Sequence, residues 1–405
     1  MQPEVKTLVE TKSASPEKVA ALEAQYLFPI FKRAAFFPVG GQGVWLYDSA
    51  GKRYLDLLSG IATNALGANH PRIVAAINRQ AGLTHVSNLF FHPSQGLLAE
   101  TLCRLSGMTR VFFCNSGAEA NEAAMKMARA LAFKRGETGR IEFVALENAF
   151  HGRTLGALTI THGAKYRDPF EPLIPGVRFV PANDLERLTE AVTEKTAAVF
   201  VEPIQGEGGI IPLSVEFLRG ARQLCDRQGA LLVFDEIQCG LGRTGSWFVF
   251  QDAGVKPDLV LLAKSLGCGL PLAAVLGTER VRDALGPGEH GTTFGGGPLA
   301  CSVSLEFLRV LEEENLLDHV RKVGAYLRTR LEALKEKKGR IQEIRSAGLM
   351  VGIDFGQDAT GLVPQLLGDG FVTNCTHQTV LRLLPPLILE REHVDLFVDA
   401  LEKRL

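Results

Sequence analysis

The chain has 405 residues, a formal net charge of −1, 46% hydrophobic residues and 22% charged residues. This length and balance are typical of a soluble globular protein with two or three domains. The near-neutral charge, without a basic stripe, argues against nucleic-acid binding, and the longest apolar runs are too short to span a bilayer.

The N-terminal segment and the cysteines indicate the compartment. Residues 1–10 mix acids and bases and lack the basic start and apolar stretch of a secretory signal. About the first 20 residues are expected to form a polar, loosely held arm. The seven cysteines include no C-x-x-C pair, so reduced thiols are expected. These features predict a cytoplasmic protein.

Seven apolar, β-rich runs alternate with helical patterns in the middle of the chain. The predicted strands are residues 111–114, 141–146, 177–180, 197–201, 230–234, 258–263 and 272–276. A helix is predicted over residues 118–134, and Phe217, Leu218, Ala221, Leu224 and Cys225 recur at helical spacing as core. This alternation predicts an α/β domain with a largely parallel sheet.

The pattern changes after about residue 305. A long charged helix is predicted over residues 308–337, followed by short strands and a closing helix over residues 392–405. We therefore expect a smaller α+β domain at residues 306–405, a large domain at 61–305, and an N-terminal segment at 1–60 that packs with the small domain.

Lys264 follows an apolar run at residues 259–263 and precedes a glycine-containing turn. Its amine would lie at a strand end, where burial favours the neutral form that attacks an aldehyde. A Schiff-base lysine needs this placement. An ordinary surface lysine after a strand has the same local sequence, so Lys264 alone does not decide the function.

Asp235 ends a second apolar run, at residues 230–234. In a parallel sheet Asp235 and Lys264 would both project into the crevice at the carboxyl edge, where ligands bind. Pyridoxal phosphate (PLP) needs this pair: a lysine for its aldehyde and a carboxylate for its ring nitrogen. A carboxylate about 4 Å away, at an effective dielectric near 20, favours the protonated ring by roughly 4 kcal/mol. The alternative for Asp235 is a helix cap or a solvated loop acid.

A phosphate site is expected beside this pair. Ser116, Gly117 and Ala118 follow the first predicted strand and open a helix, so their amides, the hydroxyl and the helix dipole would face a dianion. A simple helix cap is an equally good interpretation. Further along, Phe150 could stack on a pyridine ring and Arg153 could bind a carboxylate, although Phe150 could equally be core.

Together these residues resemble the class III PLP-dependent aminotransferases, of fold type I, which act on terminal amines. The matching runs are GKRYLD (51–56), NSGAEANE (115–122), FHGRT (150–154), EPIQGEGG (202–209), FDEIQCG (234–240), Lys264, TTFGG (292–296) and LRLLPPL (381–387). They span nearly the whole chain after about residue 25. The resemblance implies an α/β fold: a large domain with a mainly parallel seven-stranded sheet, plus a smaller α+β domain.

The resemblance also implies a role for each matching residue, with no metal ion. Lys264 would bind PLP covalently, Asp235 would contact the ring nitrogen, Gln238 the ring oxygen and Phe150 the ring face. The phosphate would be held by Ser116, Gly117, Ala118 and, from the neighbouring subunit, Thr293, which makes the active site a property of a homodimer. Thr292 would approach the substrate, and Arg153 would bind its distal carboxylate. Arg382 would bind the α-carboxylate of glutamate and pair with Glu207 when the other substrate is present.

Ile61 points to a branch within the family. Ornithine aminotransferases carry a tyrosine there that would hydrogen-bond a free α-amino group, whereas isoleucine suits an acylated one. The resemblance is therefore strongest to the acetylornithine branch, which implies transfer of the terminal amino group of N2-acetyl-L-ornithine to 2-oxoglutarate. Free ornithine, succinylornithine, acetyllysine and 4-aminobutyrate remain alternative donors.

Two positions depart from the family pattern. Ala68 replaces a frequent histidine, and Gly297 replaces an asparagine whose side chain could hold the Thr293 loop. The departure at Gly297 puts the rigidity of that loop in doubt.

Two other classes of function stay open. An aminomutase or decarboxylase would keep Lys264 and Asp235, but is disfavoured by the set formed by Ile61, Arg153, Glu207 and Arg382. A PLP-binding regulator without enzymatic activity would need an added nucleic-acid or partner module, and the sequence shows neither a basic segment nor a separate domain for one.

Overall fold

The computed structural model describes residues 15–405. Most of the predicted polar arm, residues 1–14, lies outside the described residues. The first described helix, Pro16–Tyr26, begins at Ser15, whose hydroxyl accepts a hydrogen bond from the Lys18 amide at 3.3 Å. This helix buries none of its residues.

All seven predicted strands are confirmed and lie in one sheet. In spatial order they are Arg110–Cys114, Ala273–Gly277, Leu259–Leu262, Leu231–Asp235, Thr196–Val201, Glu142–Leu146 and Val177–Val180. Ala273–Gly277 runs antiparallel to both of its neighbours, and the other pairs are parallel. The predicted mainly parallel seven-stranded sheet is therefore confirmed.

The centre of this sheet is buried on both faces, as expected for a sheet that helices cover on each side. Every residue of Thr196–Val201 and Leu231–Asp235 is buried. Asp235 is in register with Leu261, near the end of the adjacent parallel strand. The chain segments that follow these two strands therefore emerge side by side, and this brings Asp235 and Lys264 to one edge of the sheet.

Helices surround the sheet and form the second layer of the molecule. The longer ones after the first are Pro71–Gln80, Pro93–Ser106, Gly117–Lys134, Leu185–Ala191, Val215–Gln228, Pro298–Glu313, Leu316–Lys338, Leu362–Gly368 and Arg391–Arg404. The short ones are Ser59–Ala62, Leu155–Thr159, Ala164–Arg167 and Val249–Ala253, with 3₁₀ turns at Asp168–Phe170, Lys264–Gly267 and Glu279–Val281. The predicted apolar stripe from Phe217 to Cys225 is buried in Val215–Gln228.

The prediction of a single helix over residues 308–337 is wrong. The structure has two helices, Pro298–Glu313 and Leu316–Lys338, and between them Asn315 adopts a left-handed conformation with φ 50°. Asparagine tolerates this conformation better than most residues, so the chain can turn there. Helical periodicity continues on both sides of Asn315, and the pattern alone therefore does not reveal the break.

Two four-stranded sheets accompany the large one. The C-terminal sheet has the order Glu343–Ala347, Met350–Asp354, Val380–Leu383 and Asn374–Thr376, and the N-terminal sheet has the order Pro38–Gln42, Trp45–Asp48, Arg53–Asp56 and Phe371–Val372. A two-stranded ribbon pairs Ile204–Gln205 with Ile211–Pro212. The predicted boundary at residues 305 and 306 falls inside Pro298–Glu313, and the division into 1–60, 61–305 and 306–405 stays a prediction.

The turn Ser59–Ala62 has an unusual backbone. Its four residues have φ values of 44°, 63°, 62° and 65°, all in the left-handed region. For residues other than glycine this costs roughly 1–2 kcal/mol each. The turn is held from two sides, because the Ser59 hydroxyl donates to the Leu384 carbonyl at 2.6 Å and the Ser265 hydroxyl donates to the Ala62 carbonyl at 2.9 Å.

All seven cysteines lie in the described range and are free thiols. Between residues 15 and 405, no helix has the length and apolar character needed to cross a membrane.

Candidate active site

A cavity of about 520 Å³ lies at the carboxyl edge of the large sheet. It brings together most of the residues that the sequence singled out, although the chain contributes them from widely separated segments. Its lining includes Ser116, Gly117, Ala118, Phe150, Arg153, Glu207, Asp235, Gln238 and Lys264. Ile61, Thr292, Thr293 and Arg382 do not line it directly.

Lys264 begins a 3₁₀ turn directly after the strand Leu259–Leu262 and its connecting Ala263. Its backbone is left-handed, with φ 37°. Such strain is found at functional sites where the surrounding structure enforces it. Burial lowers the pKa of the Lys264 amine, and the positive charge of Arg382 lowers it further against the opposing effect of Glu207. The amine is therefore more readily neutral than that of a surface lysine.

Asp235 is 4% exposed and is held by three donors. The Asn121 side chain and a ring nitrogen of His151 contact one carboxylate oxygen at 2.9 Å and 2.8 Å, and the Ile237 amide donates to the other at 3.1 Å. Burial alone would lower the pKa of His151, but the hydrogen bond and charge of Asp235, with the charge of Glu202, raise it overall.

Sequence reasoning missed Asn121 and His151 as partners of Asp235. Both stand inside the matching runs, at 114 and 84 residues from Asp235 in the chain. Nothing local to either residue indicates that it meets Asp235 across the sheet. Only the three-dimensional arrangement assigns them to this carboxylate.

Glu202 is a further missed residue of the cavity wall. Its carboxyl accepts hydrogen bonds from the Phe150 amide at 2.8 Å and the Gly206 amide at 3.0 Å. Burial raises the pKa of Glu202 to about 7. Glu202 thus anchors the backbone of Phe150 where the ring of Phe150 meets the cavity.

The predicted phosphate site is the start of the helix Gly117–Lys134. Ser116 is its N-cap and accepts from the Glu119 amide at 3.2 Å. The first amides of a helix have no partner within the helix, so those of Gly117 and Ala118 can serve a dianion. A Cβ on Gly117 would lie 2.7 Å from Ile237 Cδ1, so a larger residue there would require the Ile237 side chain to shift.

Arg382 is 1% exposed and forms an ion pair with Glu207. It also donates to Gln238 Oε1 at 3.3 Å and to Asn374 Oδ1 at 3.2 Å. Burial would raise the pKa of Glu207, but the charge and hydrogen bond of Arg382 bring it below the ordinary value. In this structure the Arg382 charge is therefore neutralised behind the wall of the cavity.

Arg153 differs from Arg382 because it is exposed and has aromatic neighbours. Its guanidinium carbon lies 4.9 Å from the centre of the Tyr166 ring and 5.8 Å from that of Phe150. The two rings themselves meet edge to face at 6.2 Å. Among residues 15–405, Arg153 forms no ion pair within 4.0 Å.

The remaining predicted residues lie outside the lining of the cavity. Ile61 is 37% exposed on the left-handed turn Ser59–Ala62. Thr292 accepts a hydrogen bond from the Asn115 side chain at 3.1 Å, and Thr292 and Thr293 line a neighbouring cavity.

The loop that carries these threonines lacks the usual asparagine at Gly297. Its main-chain carbonyls are instead held by the side-chain amide of Asn88, which donates to Thr292 at 3.0 Å and to Gly295 at 3.1 Å. One ring nitrogen of His92 lies 3.0 Å from the Gly296 carbonyl. The loop therefore has side-chain support from another segment.

Known proteins of similar sequence and structure place the chain in a family. Residues 31–405 match the aminotransferase class-III family. The acetylornithine aminotransferase of Methanocaldococcus jannaschii is 48% identical over 391 residues, which are 96% of this chain and 98% of that protein.

Two solved structures agree with this assignment. The ornithine aminotransferase of Toxoplasma gondii has a TM-score of 0.92 at 35% identity and covers 97% of this chain and 95% of its own. The N-acetylornithine aminotransferase of Stenotrophomonas maltophilia has a TM-score of 0.81 at 36% identity, and the match covers 95% of this chain and 97% of that protein. Since the match spans nearly all of its length, the chain belongs to the class-III aminotransferase family and is a PLP-dependent enzyme of that fold.

Proposed function

We propose that the protein transfers the terminal amino group of N2-acetyl-L-ornithine to 2-oxoglutarate, giving N-acetylglutamate 5-semialdehyde and glutamate, a step in arginine biosynthesis. The observation that carries this proposal is the unequal state of two arginines, one that lines the cavity and one that is paired behind its wall. Arg153 has no ion-pair partner among residues 15–405, whereas Arg382 is paired with Glu207. This arrangement suits two substrates that share a distal carboxylate but differ in charge beside the reacting amine.

The cavity fits PLP. The helix start at Ser116, Gly117 and Ala118 would hold the phosphate, and the buried Asp235 would face the ring nitrogen. Phe150 would lie on the ring, and Lys264 would bind the aldehyde carbon. When bound, PLP supplies an electron sink that stabilises the charge left by removal of a proton from the substrate.

The proton transfer falls to Lys264. Because its pKa is lowered, its Nζ can be unprotonated. It could then take the proton from the δ-carbon of the donor and, as a general acid, deliver it to the carbon that was the aldehyde carbon of PLP. The hydrogen bonds from Asn121 and His151 fix the Asp235 carboxylate at the place where it would accept a hydrogen bond from the ring nitrogen of PLP.

The two arginines bind different carboxylates of the substrates. Arg153 binds the carboxylate farthest from the reacting carbon in both half reactions. In the glutamate half reaction, Glu207 releases Arg382, which then binds the α-carboxylate. In the acetylornithine half reaction, Glu207 pairs with Arg382 again. The ion pair then neutralises the arginine charge, because the acylated donor has no carboxylate beside its reacting amine.

A panel of amine donors with 2-oxoglutarate as the acceptor tests this proposal. We expect N2-acetylornithine to have the highest specificity constant among acetylornithine, succinylornithine, ornithine, acetyllysine and 4-aminobutyrate. A clear preference for 4-aminobutyrate or for free ornithine would contradict it and assign the chain to another activity of the family.

We also infer that the enzyme works as a homodimer with shared active sites. Several large apolar side chains are exposed, among them Phe28 at 89%, Leu89 at 87% and Phe91 at 106%. Thr293 lies outside the lining of the cavity, consistent with its serving a second subunit.

Subunit mixing tests the shared site. Chains carrying Lys264→Ala and chains carrying Thr293→Ala should each have low activity, and heterodimers of the two should regain part of it, because one of their two sites has both residues intact. A fully active monomer in sedimentation analysis would contradict this inference.

A further inference from the structure

Glu122 holds the chain segment that carries Arg153. One of its carboxylate oxygens accepts hydrogen bonds from the Thr154 hydroxyl at 2.6 Å, the Gly156 amide at 2.9 Å and the Ala157 amide at 3.3 Å. A Cβ at Gly156 would lie 2.1 Å from the other carboxylate oxygen, so the contact requires glycine there. Glu122 belongs to the helix Gly117–Lys134, whose first turn is the proposed phosphate site.

The capping of the helix Leu155–Thr159 shows that Glu122 also fixes where this helix lies. Thr154 is the N-cap of the helix Leu155–Thr159, yet its side chain makes no capping hydrogen bond within that helix. Its hydroxyl is directed to Glu122 instead. A threonine can cap its own helix, so the use of a carboxylate from another helix ties the position of this segment to the helix of the phosphate site.

Tyr166 contacts the other end of the same arginine. Its ring centre lies 4.9 Å from the Arg153 guanidinium carbon, a cation–π distance, and nearer than that of Phe150. The side chain of Arg153 is thus placed by Tyr166 and its backbone by Glu122. A long exposed side chain without these supports would sample many rotamers and lose entropy on binding a carboxylate.

We propose that Glu122 and Tyr166 are positioning residues that hold Arg153 at a set distance from the cofactor phosphate and thereby select substrates with a carboxylate at that distance. This inference rests on the proposed function, because it takes Arg153 as the group that binds the distal carboxylate. Neither residue touches the reacting atoms.

The test measures binding of glutarate, an unreactive five-carbon dicarboxylate, to the PLP-loaded enzyme by calorimetry. The variants are Glu122→Ala, Glu122→Gln, Tyr166→Leu and Tyr166→Phe, with retained PLP and melting temperature measured for each. Asp184→Asn is the matched control, since Asp184 accepts from the Arg187 amide at 2.9 Å and caps a helix that does not line the cavity.

We expect Glu122→Ala and Tyr166→Leu each to raise the Kd for glutarate about tenfold while PLP is retained. Glu122→Gln keeps an acceptor and Tyr166→Phe keeps the ring, so both should stay within about threefold of the wild type. In steady-state assays, the KM for acetylornithine and the KM for glutamate should both rise, with a smaller change in kcat.

Two results would overturn the proposal: a glutarate Kd that changes less than threefold in the alanine and leucine variants, or one that rises only together with loss of PLP. A failure of the proposed function is distinguishable. In that case acetylornithine would not react with the wild type, while glutarate and glutamate would still report whether Arg153 is held by these two residues.

Discussion

The two ends of the cavity are built in different ways. At the cofactor end, Asp235 and Lys264 follow neighbouring parallel strands, and one register of one sheet brings them together. At the substrate end, Arg382 comes from the C-terminal sheet and Arg153 from a loop held by another helix. In the proposed function, the first arrangement supplies the chemistry and the second selects the substrates. Substitutions at the two ends should therefore impair the reaction in different ways.

The largest effect is expected at the cofactor end. Lys264→Ala removes the only group proposed to move the proton, so transamination should fall by about 10⁴-fold or more, while PLP still binds through its phosphate. Single-turnover absorbance with either amine donor measures the loss. Lys195→Ala, an exposed lysine outside the cavity, is the control and should retain full activity. Substantial turnover by Lys264→Ala would contradict the proposal that Lys264 moves the proton, and with it the difference expected between the two ends of the cavity.

The next effect, at the substrate end, should divide the two half reactions. Arg382→Ala should lower the specificity constant for glutamate by tens to hundreds of fold, which corresponds to about 2–4 kcal/mol for a lost charged contact. The acetylornithine half reaction should lose much less, because it does not use the Arg382 charge. Arg340→Ala, an exposed arginine, is the control. Equal losses in both half reactions would show that Arg382 does not distinguish the substrates.

A smaller effect is expected at Ile61, and it concerns donor choice alone. Free ornithine has a cationic α-amine that would be desolvated against Ile61 without a partner, and this costs more than an unpaired amide. The wild type should therefore prefer acetylornithine, and Ile61→Tyr should narrow the ratio of specificity constants by about tenfold.

Ile61→Leu is the matched control for this comparison, since it keeps an apolar side chain and should leave the ratio nearly unchanged. The measurement is the ratio of kcat/KM for acetylornithine and ornithine in each variant. A tyrosine variant with a wider preference for the acetylated donor would contradict the role of Ile61.

The smallest effect concerns stability and pH. The pKa of Glu207 in the folded protein lies below its ordinary value of 4.5 because Arg382 outweighs burial. A depressed carboxyl pKa adds stability that is complete above the unfolded value and is lost as the pH falls through the folded value. Unfolding by denaturant should therefore show Glu207→Gln less stable than the wild type at pH 7, with a difference in unfolding free energy that shrinks as the pH falls below the ordinary value of 4.5 and through the lower folded pKa. A gap that is independent of pH would show that the Glu207 charge is not responsible.

The sequence predicts that Asp235 and Lys264 meet at one edge of the sheet, and the structure places them there, because the signals for this placement are local. Each strand of the large sheet is a short apolar run, and Asp235 and Lys264 directly follow such runs. The contacts of Asp235 with His151 and Asn121 could not be predicted in the same way, because they depend on how segments pack across the sheet.

Backbone conformations were the other feature that the sequence did not reveal. Asn315 breaks a region of continuous helical periodicity through a single left-handed residue. The turn at Ser59–Ala62 contains only one glycine, so its four left-handed residues are not apparent from composition. Such conformations are maintained by tertiary contacts, here those of Ser59 and Ser265.

The left-handed turn has a consequence for how the enzyme could change its donor in evolution. A β-branched side chain at Ile61, with φ 62°, is a costly choice at a position where glycine would relax the backbone. With the proposed role of Ile61, the residue that would make the fold most stable at position 61 therefore differs from the residue that discriminates between donors. In a saturation library at this position, the most heat-resistant members should be among the least selective, and new donor preferences would arise more easily after stabilising changes elsewhere in the chain.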